Sequence, residues 1–574
     1  MGWWRVAALL LASLQVAASA DAAFLPPVVS EHDMVVTEQA LASQVGAEVL
    51  ERGGNAIDAA VAVGYVLAVV HPCCGNLGGG GFMTVHLAKE NREHFLDFRE
   101  RAPLAATANM YLDAAGNVIK GSTTTGHLAV AVPGSVAGLE AALAKYGTMK
   151  RAELIAPAIR LAEEGFVLDQ GDADLFATAT DAFKVDPATR AIFLKPDGGA
   201  FQPGDRLVQR DLGQTLRQIR DAGAAGFYKG PVAQAIVASS QSGKGIITQR
   251  DLDAYKVREL APIECDYRGY HIVSAPPPSS GGVVICEILN IVEGYPLKDW
   301  GFRSAQAMHV QIEAMRHAYV DRNSYLGDPD FVKNPLDRLL DKAYAAKIRA
   351  AIDPQKAAIS QNLKPGVAPH EGSNTTHYSI VDGKGNAVSV TYTLNDWFGA
   401  KVTAGGTGVL LNDEMDDFTA KLGVPNIYGL VQGEANSIAP GKTPLSSMSP
   451  TIVTQNGQPV MVVGTPGGSR IITAVLETIM NVIDYGMNVQ EAIDAPRFHQ
   501  QWLPNTTNLE TFAVSPDTRK ILEGMGHVFS GPQPANHVVA ILVGAPSLGG
   551  KPVGKNRFYG GNDPRRNSGL VLGY

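Results

Sequence analysis

The sequence predicts a layered α/β protein, and three observations carry that expectation. Hydrophobic residues make up 45% and charged residues 18% of 574 positions. Apolar helical stretches alternate with Gly-rich turns after the first 30 residues, and β-branched and aromatic runs take over after residue 374. A chain of this composition buries a sizeable core and is not disordered, and the alternation is that of stacked helix and sheet layers. No repeat of roughly 20 to 50 residues marks a solenoid or propeller.

Residues 1–20, MGWWRVAALLLASLQVAASA, carry one charge at Arg5, an apolar stretch from Val6 and the small residues Ala18-Ser19-Ala20 before Asp21. They read as a secretory leader cut after Ala20, because the apolar core is short of the ~20 residues that span a bilayer; an uncleaved anchor is the alternative. The expected location is therefore periplasmic or secreted, with no stable membrane insertion. In that compartment Cys265 and Cys286 can pair, while the adjacent Cys73 and Cys74 read as small buried residues. The net charge of −8, with no long basic run, argues against a nucleic-acid partner.

Along the chain, TEQALASQVGAEVLERGG and NAIDAAVAVGYVLAVV predict two helices, the second ending before His71-Pro72. The run GGGGF, Gly78 to Phe82, reads as a close-packed turn. Farther on, Met308, Ile312, Met315 and Tyr319 form an apolar helical stripe, with His309, Glu313 and His317 on the adjacent face. Stacking or ion pairing accounts for those three; the spacing lacks the HExxH form, and no metal or other cofactor is expected. PQKAAISQNLKPGVAPHEGSN, Pro354 to Asn374, has no apolar period and reads as a mobile linker. HYSIV and AVSVTYT then predict two strands around the turn Asp382-Gly383-Lys384-Gly385-Asn386. Finally PVMVVG leads through Gly467 and Gly468 into the helical pattern IITAVLETIMNVI, so those two amides can point outward at a helix start. A phosphate loop would need a Lys-Ser/Thr ending, which is absent.

If the five-residue turn is symmetric about Lys384, residues whose numbers sum to 768 face one another, and Thr375 lies opposite Thr393. Side-chain alternation along a strand would put Asn395 on the face of Thr393. On the residues alone, this pair reads first as an ordinary cross-strand contact.

The string TTHYSIVDGKGNAVSVTYTLN, with LNDEMDDF, PLSSMSPTIV and GTPGGSR downstream and GNLGGGGF, LDFRE, PGSVAG and APPPSSGG upstream, resembles the γ-glutamyltransferases (γ-glutamyl transpeptidases). These belong to the N-terminal nucleophile hydrolases. The likeness runs from about residue 30 to the closing GY. It implies a four-layer αββα sandwich formed by both fragments of a self-cleaved precursor. After the leader (1–20) come a large subunit (21–374) and a small catalytic subunit (375–574), which form a heterodimer. Thr375 is the implied nucleophile, its freed amine the base, and Thr393 the partner of its hydroxyl. A hydroxyl is a poor nucleophile at its own pKa, whereas an N-terminal amine of pKa about 7.7 to 8.0 can take its proton near neutrality. By the same resemblance Arg99, Ser446 and Ser447 bind the α-carboxylate of a γ-glutamyl group. Glu414 and Asp417 hold its α-ammonium, with Asn395 lining the pocket; other family members have Gln where Glu414 stands. Gly467 and Gly468 form the oxyanion hole, and Tyr428 in VPNIYGL matches a lid tyrosine.

The implied activity is cleavage of glutathione and related γ-glutamyl amides, with the acyl group passing to water or to amino acid or peptide amines. A cephalosporin (glutaryl) acylase on the same scaffold is the nearest alternative. Its acyl group lacks the ammonium and gives no reason to keep Asp417. An inactive periplasmic solute-binding protein is the alternative of another class.

Overall fold

The computed structural model describes residues 25–363, 375–531, 536–548, 557–566 and 568–574; the leader and Asn374 lie outside the described residues. In chain order, the elements that position the site are β1 (Met34–Thr37), α1 (Ala40–Glu51), α2 (Ala56–Val70), β2 (Gly80–Leu87), α3 (Gly281–Val292) and α4 (Ala305–Tyr325). They continue with β3 (Thr376–Val381), β4 (Ala387–Thr393), β5 (Gln458–Gly464) and α5 (Arg470–Ile483).

Two seven-stranded antiparallel sheets form the centre. The first runs Leu570–Leu572, β1, β3, β4, β2, Arg92–Asp97, Arg258–Leu260. The second runs Val28–Ser30, Phe558–Asn562, Val539–Val543, β5, Thr451–Gln455, Tyr270–Ser274, Ile263–Tyr267. Strand alternation sorts their residues. Met34, Val36, Val381 and Ala387 turn inward and meet Ile452, Val462 and Ile541 of the second sheet. Val35, Ile380, Val388 and Val390 turn outward into a core shared with α1 and α2. On the far side, Ile272, Val453 and Val463 pack with residues of α3, α4 and α5. The order of layers is helix, sheet, sheet, helix, as expected.

Local chemistry explains α2, the helix next to the β3–β4 hairpin. Asn55 caps α2, its side chain accepting from the Ile57 and Asp58 amides while Asp58 accepts from the Asn55 amide. All 15 residues of α2 are buried, which is why the sequence is apolar all round instead of striped. Asp382 ties the hairpin turn to this helix. Its carboxylate accepts from the amides of Lys384, Asn386 and Ala56, at 2.9 Å each.

Three expectations are corrected. GGGGF is not a turn: Gly80 and Gly81 open β2 beside β4, and a Cβ on Gly79 would lie 1.9 Å from the Thr393 carbonyl oxygen, so the glycines permit close strand approach. The first part of the presumed linker is anchored. The Ala357 amide donates to Met525 O at 2.8 Å, and Ser360 is fully buried against Arg316; residues 364–374 lie outside the described residues. Cys73 and Cys74, expected as separate small buried residues, are joined to each other, whereas Cys265 is joined to Cys286 in keeping with the expectation. On α4, His309 pairs at 2.8 Å with His527 and Glu313 with Arg316, so neither pairs with His317.

Candidate active site

Thr375 stands immediately before β3 at 4% exposure. Across the hairpin Thr376 pairs with Tyr392 and His377 with Thr391, each sum being 768, so the register extrapolates to Thr375 facing Thr393. The inner face of this hairpin is polar: His377 Nδ1 meets Thr391 Oγ1 at 2.8 Å, and burial pushes that imidazole down to about 3, keeping it neutral. The His377 amide donates to Glu38, whose other oxygen accepts from Arg566. These contacts fix the strand that carries Thr375.

Thr375 and Thr393 border a cleft with Arg99, Asn395, Glu414, Asp417, Tyr428, Ser446, Ser447 and Gly468. Strand alternation is not what brings Asn395 there. β4 ends at Thr393, and Asn395 adopts φ +79° with its amide on Thr393 Oγ1 at 2.9 Å, so the chain turns back at that point. Its side chain donates to Asp413 O.

Arg99 follows the strand Arg92–Asp97 and is 1% exposed. Its Nε donates to Pro444 O at 3.0 Å, Nη1 to Glu414 and Nη2 to Asp417, both at 2.5 Å. A guanidinium has five N–H groups, so two remain for a ligand. Glu414 and Asp417 occupy one short 3₁₀ turn, which sets both carboxylates against the same fork. Burial raises Glu414 to about 7 against the pull of Arg99, and burial with the charge of Glu414 holds Glu100, alongside, well above the usual carboxylate range. Asn426 donates to the other oxygen of Asp417.

The turn between β5 and α5 has Gly467 at φ +128° and Gly468 at φ +57°. No bond from either amide to a backbone carbonyl is found among the described residues. A Cβ on Gly468 would lie 2.4 Å from the Tyr428 ring, and the Tyr428 hydroxyl donates to Asn395 O at 2.7 Å, closing the ring over the cleft. Gly467 is the one residue of the expected set that does not border the cleft; its α-carbon faces Asn536.

Sequence reasoning missed Arg322. It sits on α4, lines the cleft, and donates to Ser447 Oγ at 3.0 Å and Ser280 Oγ at 2.9 Å. The signal was present, for Arg322 extends the stripe of Met308, Ile312, Met315 and Tyr319 by three residues, a charge on a buried face. Hydrophobic Leu430, Met448 and Ile471 also border the cleft and carried no signal of their own.

Comparison with known proteins shows the family. A family model described as gamma-glutamyltranspeptidase matches residues 42–572. A glutathione hydrolase proenzyme of Pseudomonas sp. is 72% identical over 553 residues, covering 96% of both chains. One of Escherichia coli is 50% identical, over 96% of this chain and 93% of that protein. Among solved structures, a cephalosporin acylase from Bacillus halodurans superposes with a TM-score of 0.82 at 28% identity, over 98% of this chain and 99% of the other. A model match of that extent and relatives of that identity leave one conclusion: the chain belongs to the gamma-glutamyltranspeptidase family.

Proposed function

We propose that the chain cleaves itself between Asn374 and Thr375, and that the resulting pair of fragments (21–374 and 375–574) hydrolyses or transfers γ-glutamyl groups from glutathione and related amides. The observation that supports this best is the neighbourhood of Thr375, a cleft lined by the guanidiniums of Arg99 and Arg322, two carboxylates that flank Arg99, and two serines. Such a constellation complements a carboxylate and an ammonium on one carbon, and a simple acyl chain would use only half of it.

In the mechanism, the Thr375 hydroxyl oxygen attacks the γ-carbonyl carbon while its proton passes to the free α-amine of the same residue. Thr393 orients the hydroxyl. Negative charge builds on the carbonyl oxygen, toward which the Gly467 and Gly468 amides donate. The carbon–nitrogen bond then breaks, the α-ammonium returns its proton to the leaving amine, and an ester on Thr375 remains. Water or an acceptor amine attacks that ester and regenerates the hydroxyl. Tyr428 excludes bulk water and must swing aside for release. Secretion to the periplasm or medium fits the leader-like first 20 residues, and among the described residues no helix is long and apolar enough to cross a membrane.

The glutaryl acylase alternative has its support in the cephalosporin acylase neighbour at 28% identity, against relatives named glutathione hydrolase at 72% and 50%. The deciding test is direct. Purified wild type should run as two fragments under denaturing conditions and give a burst with a chromogenic γ-glutamyl anilide. Thr375→Ala should remain one chain with no turnover. An active, uncut wild type would overturn the mechanism, and a cut protein without a burst would favour a binding role.

A further inference from the structure

Arg99 is not the only cation that borders the cleft. Its guanidinium is shared between Glu414 and Asp417 at 2.5 Å each, so the charge it offers a ligand carboxylate is offset by theirs. A carboxylate entering beside them would meet repulsion unless another cation compensates.

Arg322 is that cation. It is 1% exposed, and it donates to four neutral acceptors: Ser280 Oγ at 2.9 Å, Asn323 Oδ1 at 2.8 Å, Gln432 Oε1 at 3.2 Å and Ser447 Oγ at 3.0 Å. Burial lowers it to about 10, so it stays charged at neutral pH. With Arg322 counted, two arginines and the two carboxylates Glu414 and Asp417 border the cleft, so their formal charges balance. That matches an amino-acid head group, which is itself neutral overall.

The hydrogen bonds give the charge a direction. Ser447 Oγ accepts from Arg322, which leaves the hydroxyl proton of Ser447 to donate toward the cleft it lines. Ser280 accepts from Nε of the same guanidinium and donates to Ser446 O at 2.7 Å, which fixes the backbone of the serine pair. We propose that Arg322 is the positioning residue that makes the cleft select a donor bearing an α-carboxylate: it turns the Ser447 hydroxyl into a donor and supplies the compensating positive charge behind it.

This deepens the γ-glutamyl reading and rests on it, so the test separates the two. Steady-state kinetics would compare wild type, Arg322→Gln and Arg322→Lys on p-nitroanilides of four acyl groups: γ-glutamyl, 4-aminobutanoyl (ammonium only), glutaryl (carboxylate only) and butanoyl. Arg322→Gln should raise KM for the γ-glutamyl donor at least tenfold and change that for the 4-aminobutanoyl donor less than threefold. Arg322→Lys should recover part of the preference. Equal losses on both donors, or a Lys variant no better than Gln, would mean a merely structural role and overturn the inference. Self-cleavage into two fragments reports that each variant folds. Should Arg322→Gln fail to cleave itself, Arg322→Lys decides: retained preference for the carboxylate-bearing donor supports the inference, and a uniform loss overturns it. If wild type turns over the glutaryl donor alone, the γ-glutamyl reading falls, while Arg322 is still tested by the ratio of glutaryl to butanoyl.

Discussion

At the scale of residues, the two carboxylates on Arg99 make distinct and separable contributions. Replacing Asp417 by Ala removes a charge-assisted contact to the proposed α-ammonium, worth roughly 1.5 to 3 kcal/mol. Donor kcat/KM should therefore fall at least about tenfold. A glutaryl donor, lacking the ammonium, should lose far less, and self-cleavage should survive; equal losses on the two donors would mean that Asp417 merely holds Arg99 in place. Glu414 adds a pH dependence. Its carboxyl is raised to about 7, chiefly by burial, so it gains a proton, and loses its charge, as pH falls through neutrality. Donor affinity should weaken on that acid side, with KM rising below about pH 7. The Thr375 amine must be neutral too, but that requirement enters through kcat. Glu414→Gln should flatten the KM profile and leave the kcat limb in place; an unchanged KM profile would show that Glu414 does not titrate in the working range.

At the scale of elements, what could be read from the sequence was what local rules determine. The β3–β4 register followed from the five-residue turn, and α2 and α5 followed from their apolar patterns. Asn395 was placed in the right cleft for the wrong reason, because period-2 alternation stops where β4 stops and a left-handed residue reverses the chain. Arg322 could not be assigned from its helix alone, since its partners Ser280, Gln432 and Ser447 come from three other segments. The pairing of β1 with β3, far apart in sequence, had no local signal either. The turn before α5 shows how tightly such assembled elements are held. Tyr319 of α4 donates to Ser469 O at 2.5 Å, so one helix reaches the turn before α5, and one turn later it reaches the serine pair through Arg322. Gly468→Ala should disturb this arrangement twice over, since φ is +57° and the new Cβ would meet the Tyr428 ring. If the Gly468 amide is an oxyanion donor, kcat should drop on the order of a hundredfold or more with a modest change in donor KM. A rise in KM alone would assign the glycine to the lid instead.

At the scale of the whole molecule, the proposed cut would divide a body whose sheets are woven from both fragments. In the first sheet, β3 lies between β1 of the large fragment and β4 of its own, and β4 in turn pairs with β2 of the large fragment. The terminal strand Leu570–Leu572 reaches around to the other side of β1. The second sheet is equally mixed: Val28–Ser30 pairs with Phe558–Asn562 at one edge, and Tyr270–Ser274 with Thr451–Gln455 toward the other. Four antiparallel ladders of the two sheets thus cross between fragments before the last strand is counted, and the inter-sheet core draws Met34 and Val36 from one fragment and Val381, Val462 and Ile541 from the other. Separating the fragments would expose that core and leave the ladder groups of β1 and β2 unpaired, a cost comparable with unfolding itself. The cut protein should therefore elute from a sizing column as one species that contains both fragments, and denaturant should unfold and separate them in a single step. Coincident urea transitions of tertiary signal and fragment association would bear this out. Release of the 375–574 fragment at a urea concentration that leaves the remaining near-UV signal intact would show that the two fragments are separate folding units after all, and the woven topology would then not be what holds the enzyme together.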